Sequence, residues 1–140
     1  MTKANIDHKQ IVAVVLRHFP DVQGVYLFGS HATGQAWPNS DVDIALLLPH
    51  DRAKEMGNLH MSPCRVALTE MLRRPVDLIN ARMVSTVLQK ELIYGQRLYY
   101  SDVNAMDEFE MLTLSFYQKL NEERADILEA FAKTGRAYPV

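Results

Sequence analysis

Two short stretches separated by ten residues hold the side chains best suited to chemistry: Gly29-Ser30 and Asp41-Val42-Asp43. A Gly-Ser step ending a buried strand lets backbone amides and a hydroxyl approach a polyphosphate with no side chain in the way. A helix beginning just after Ser30 would add its unpaired amides, a fixed positive field for phosphate. Asp41 and Asp43 are two apart at the head of a strand, so both carboxylates leave from one face. Two carboxylates about 5 Å apart repel by about 3 kcal/mol at an effective dielectric of about 20. Such a pair persists with a cation between them, and hard oxygen ligands select Mg2+ or Mn2+. A third carboxylate is expected on a neighbouring strand. Asp77 is the candidate, because it interrupts the otherwise apolar run Val76-Asp77-Leu78-Ile79. In a two-metal phosphoryl transfer it would complete one metal site and help accept the proton of the attacking hydroxyl.

Other chemistries lack their context. No G-x-S-x-G elbow surrounds Ser30, so a hydrolase nucleophile fails. Gly24, Gly29 and Gly34 do not make G-x-G-x-x-G, and no G-K-[ST] closes a P-loop. The plain alternatives are that Asp41 closes a turn, Asp43 caps a strand and Asp77 is an exposed edge residue. His31 is placed either near phosphate or facing solvent. His50 and His60 flank a polar loop and read as solvated, and Cys64 reads as core. Trp37 lies between the two motif halves, where it stacks on a base or partner or anchors its own loop.

The elements that must position these residues follow from periodicity and punctuation. Asp7 with Gln10 resembles a capping box opening a helix to about His18, with Ile11, Val14 and Val15 on its apolar side. Pro20 stops it. Val25 to Phe28 is a short buried strand, and Gly34, Pro38, Asn39 and Ser40 mark a loop. Val42 to Leu48 is the strongest strand signal, ended by Pro49, and residues 50 to 61 read as polar and irregular. Ser62-Pro63 starts a helix through about Arg73. Val76 to Asn80 is a third strand. Ser85 caps a helix ending at Gly95, where a left-handed C-cap would suit glycine. Arg97 to Tyr100 is a fourth, edge-like strand.

From about Asn104 to Lys133, Phe109, Leu112, Phe116, Leu120, Ile127 and Phe131 recur at helical steps. At ~1.5 Å per residue this helix would span about 45 Å, more than a domain of this size covers. Part of its apolar stripe then needs another surface; the alternative is two shorter helices folded on the core.

This arrangement resembles the polymerase-beta-type nucleotidyltransferases: Gly29-Ser30, ten residues, Asp41-Val42-Asp43 and the later Asp77. The short length is similar to the minimal nucleotidyltransferases, especially the MntA-type antitoxins paired with HEPN ribonuclease toxins. The resemblance runs from about Val12 to Tyr100. It implies an α/β (α+β) fold, a mixed sheet of about four strands backed by helices, with a long C-terminal helix. It implies a triphosphate laid over Gly29 and Ser30, Asp41 and Asp43 binding both metals, and Asp77 binding the catalytic metal and acting as base. It further implies transfer of AMP from ATP, with Mg2+, to a tyrosine hydroxyl of a HEPN-type toxin, which neutralises the toxin as in a type VII antitoxin. Many relatives carry arginines after Gly-Ser; here His31 and Thr33 stand at those places. His31 could serve one phosphate oxygen, and Arg82 or Arg52 could supply a cation. Two other readings are a binding module that masks a toxin without catalysis, and transfer to a small hydroxyl compound.

Length and composition set the outer bounds. The 140 residues, 48% apolar and 23% charged, suit one domain spanning 1–140. The net charge is −2 with scattered lysines and arginines, so long nucleic acid is not an expected ligand. No apolar run approaches the ~20 residues needed to cross a bilayer, and residues 1–5 lack a signal-peptide core, so a cytoplasmic setting is expected. The single cysteine precludes an internal disulfide framework.

Overall fold

The computed structural model describes residues 6–34 and 40–134; Trp37, Pro38 and Asn39 lie outside the described residues. The chain opens with α1 (His8–His18), whose N-cap Asp7 accepts hydrogen bonds from the amides of Lys9 (2.9 Å) and Gln10 (3.3 Å). Then come β1 (Gly24–Phe28), the single turn α2 (Ser30–Thr33), β2 (Val42–Leu47), α3 (His50–Met56) and α4 (Pro63–Leu72). Next are β3 (Val76–Asn80), a short 3-10 turn, α5 (Thr86–Ile93), β4 (Gln96–Tyr100) and α6 (Val103–Thr134).

The four strands form one mixed sheet in the order β3-β2-β1-β4, with β1 antiparallel to β2 and β4, and β2 parallel to β3. Side chains alternate across a strand, which sorts the core in two. Val25, Leu27, Val42, Ile44, Leu46, Val76 and Leu78 pack with Ile11, Val15, Ala53, Cys64 and Leu68, from α1, α3 and α4. Tyr26, Phe28, Ala45 and Leu47 pack on the opposite face with Leu92 of α5 and Met106 and Phe109 of α6. β1 and β2 are therefore buried on both faces, which is why they read as continuous apolar runs.

Two local expectations change, and one choice between alternatives is resolved. Residues 50–56, read as irregular, form α3, because its fold is decided at a distance. The Asn80 amide donates to the carbonyls of Ala53 (2.9 Å) and Gly57 (2.8 Å), and Ala53 is fully buried. Gly95 is not a left-handed cap; the positive-φ glycines among the described residues are Gly29, Gly34 and Gly57. It is needed for space, since a Cβ there would sit 2.2 Å from the carbonyl oxygen of Leu27. The C-terminal pattern forms one helix of 32 residues rather than two, about 48 Å long at ~1.5 Å per residue.

α6 is fastened over its first half. Met106, Phe109 and Thr113 are buried against the sheet and α5. The hydroxyl of Tyr26 donates to Glu110 (2.7 Å), and Arg97 of β4 donates to Glu110 and Asp107. From Asn121 through Glu129 every residue is exposed. Among the described residues no helix is long and apolar enough to cross a membrane.

Candidate active site

The site forms where β1 ends and β2 begins. Phe28 is the register partner of Asp43, and Gly29 follows with φ 74° and ψ −153°, a conformation open almost only to glycine. Space demands glycine as well. A Cβ at position 29 would lie 2.3 Å from Asp43 Oδ2. Ser30 is the first residue of α2, so a helical turn does begin at the serine.

α2 is pinned from both sides. His31 Nε2 donates to the carbonyl of Ser40 (3.1 Å), and Gln96 of β4 donates to the carbonyl of Ala32 (2.9 Å). The Thr33 hydroxyl donates to the carbonyl of Ser30 (3.2 Å), which fixes the turn from within.

Strand register brings two of the three aspartates together. Asp43 stands directly beside Asp77 across the parallel β2–β3 pair, where neighbouring strands are about 4.8 Å apart. The alternation that sends Val42, Ile44, Val76 and Leu78 to the α1/α4 face sends Asp43 and Asp77 to the opposite one. Asp41 is one residue ahead of β2 and exposed. Burial holds the carboxyl of Asp43 above the usual range, and the charges of Asp77 and Asp41 raise it further. His31 opposes the shift, and Glu91 adds a smaller upward push.

Among the described residues, no three histidine, cysteine, aspartate or glutamate side chains are gathered tightly enough to cage a metal ion as they stand. The donor chemistry nevertheless suits a hard divalent cation. These are oxygen ligands whose mutual repulsion already disfavours the ionised Asp43, and a cation would relieve that repulsion.

Beside Gly29 and Asp43 opens a cleft of about 380 Å³, walled by Ala32 and Thr33 on one side and by Lys90, Glu91, Tyr94 and Gly95 on the other. The α5 wall was not identified from sequence. Its one visible signal is Gly95, which lets the chain turn tightly over Leu27 and so carries the end of α5 to the mouth of β1.

Arg52 and Arg82 do not supply the cleft's cation. Arg52 pairs with Asp21 and Glu55 over the ring of Phe19. Arg82 donates to the Leu48 carbonyl (2.6 Å) and to Gln23 (2.7 Å), at the opposite end of β1 and β2.

A family model for polymerase beta nucleotidyltransferases matches residues 9–104. The protein adenylyltransferase MntA of Shewanella oneidensis is 30% identical over 124 residues, covering 89% of this chain and 86% of that protein. A crystal structure of a toxin–antitoxin with AMP-PNP superposes with a TM-score of 0.71 and 29% identity, covering 91% of this chain and 99% of that one. The structure of tri-AMPylated Shewanella oneidensis HEPN toxin in complex with MNT antitoxin gives a TM-score of 0.64 at 27% identity, over 89% and 95% of the two chains.

Proposed function

The chain belongs to the polymerase beta nucleotidyltransferase family, and from that premise we propose that it is an antitoxin that transfers AMP from ATP to a tyrosine hydroxyl of a HEPN-type toxin, neutralising it. The observation that carries the chemistry is the register of Asp43 with Asp77, on the same sheet face and beside Gly29. The acceptor is drawn from relatives: a protein adenylyltransferase at 30% identity, and an antitoxin of the same fold in complex with an AMPylated toxin. The long α6 favours a protein acceptor too, since its exposed apolar side chains offer surface to a partner.

The roles follow from position. Gly29 leaves room for phosphate oxygens, and Ser30 brings an amide and a hydroxyl to them. Asp41, Asp43 and Asp77 would hold Mg2+, which would neutralise phosphate charge and make a hydroxyl of pKa near ~10 a competent nucleophile. Asp77, exposed beside Asp43, accepts the phenolic proton. The phenolic oxygen bonds to the α-phosphorus as the bond to the bridging oxygen breaks, and pyrophosphate leaves. We place this reaction in the cytoplasm.

The test is to co-express the chain with its cognate toxin and read intact toxin mass. Wild type with Mg-ATP should add AMP-sized increments, and chelation should abolish them. Asp41→Asn/Asp43→Asn should add none and leave the toxin active. Full neutralisation by that double variant, without a mass change, would replace the enzyme by a masking module.

A further inference from the structure

The cleft wall that sequence did not identify contains a cation with no acidic partner among the described residues. Lys90 is the one positively charged side chain among the described residues lining the cleft, facing the side that holds Gly29 and Thr33. Among the described residues no carboxylate pairs with it at ion-pair distance. Two rings hold it instead. Its Nζ lies 5.3 Å from the ring centre of Tyr94 and 4.9 Å from that of Tyr117, both within cation–π range. Tyr94 follows Lys90 by four positions and so shares its flank at the end of α5. Tyr117 reaches in from α6.

Rings steady an ammonium group without neutralising it, so its charge remains available to an anion in the cleft. The turn after Gly29 supplies no guanidinium, and Arg52 and Arg82 are engaged elsewhere. We propose that Lys90, steadied by Tyr94 and Tyr117, is the phosphate-binding cation of this cleft, taking the polyphosphate of the nucleotide against the α5 wall. The assignment rests on the nucleotidyltransferase reading above and adds a binding residue to it. Tyr117 also places part of this contact on α6, the helix that offers its outer surface to a partner.

Calorimetric titration of AMP-PNP with Mg2+, and separately of AMP, tests it on wild type, Lys90→Met and Lys90→Arg. Lys90→Met should weaken AMP-PNP by about tenfold, the scale of one charge-assisted contact, and AMP by clearly less. The difference should narrow as salt rises, because the contact is one of charge. Lys90→Arg should bind AMP-PNP nearly as wild type does. Unchanged AMP-PNP affinity in Lys90→Met overturns the assignment and leaves the proposed reaction standing. Equal losses for AMP-PNP and AMP also overturn it, since they mark a damaged cleft rather than a lost phosphate contact. Wild type that binds no AMP-PNP overturns both the assignment and the reaction.

Discussion

Asp43 is where the fold and the chemistry pull in opposite directions. It lies within β2, half-buried, among Asp77, Asp41 and Glu91, and its carboxyl is raised above the usual range. An acid whose folded-state pKa exceeds its unfolded value stabilises the fold below the unfolded pKa and loses that contribution as pH rises through the folded one. Near neutral pH the ionised Asp43 therefore works against folding. Asp43→Asn should raise the unfolding midpoint of metal-free protein at neutral pH, with the gap closing below about pH 4, where the acid is protonated in both states. Mg2+ should stabilise wild type more than the variant. Thermal melts across pH, with and without chelator, measure both effects, and a lower midpoint for the metal-free variant at neutral pH would contradict the account. Asp41 and Asp43 were legible in the sequence through their two-residue spacing, and Asp77 because it interrupts an apolar run. Lys90 and Tyr94 were not, since their neighbours are set by how α5 and β4 fold back on β1.

Among the elements, those specified locally matched their sequence signals. Asp7, Ser62 and Ser85 each accept an amide hydrogen bond at the start of a helix. The third strand was read at its observed bounds, because Val76-Asp77-Leu78-Ile79-Asn80 alternates on the sheet it joins. α3 escaped notice because what secures it, the Asn80 amide, is more than twenty residues away. Gly95 escaped for a related reason: the sequence announces a glycine but not whether torsion or space requires it. Space does, and the obstacle is backbone. Gly95→Ala would press a methyl against the Leu27 carbonyl and Phe28 Cβ. We expect a loss of about 1–3 kcal/mol, the usual cost of overpacking, with nucleotide affinity falling as α5 is pushed off the cleft. Urea unfolding paired with AMP-PNP titration would read both; an unchanged midpoint would mean that β4 shifts freely to accommodate the methyl.

Across the described residues, the sheet and its two helical layers are packed by their own chain, and the outer part of α6 is exposed. Leu128 is 62% exposed and Phe131 53%, beyond Thr113, the last buried residue of α6 among the described residues. Substituting Leu128→Glu and Phe131→Glu should leave the chain's own stability within about 0.5 kcal/mol, as surface changes do. The same pair should weaken binding of the proposed toxin partner at least about tenfold if these side chains fill its pockets. Melting curves and a binding titration with the toxin separate the two quantities, and unchanged affinity would place the docking surface elsewhere. The isolated character of this segment has a further consequence. Helices of about 12–15 residues are marginal in water without packing, and from Asn121 through Glu129 every described residue of α6 is exposed. The free chain should therefore open there more readily than it unfolds as a whole, presenting cleavable backbone to proteases. A partner that covers the segment would remove that exposure, so the lifetime of this chain would rise and fall with the supply of that partner.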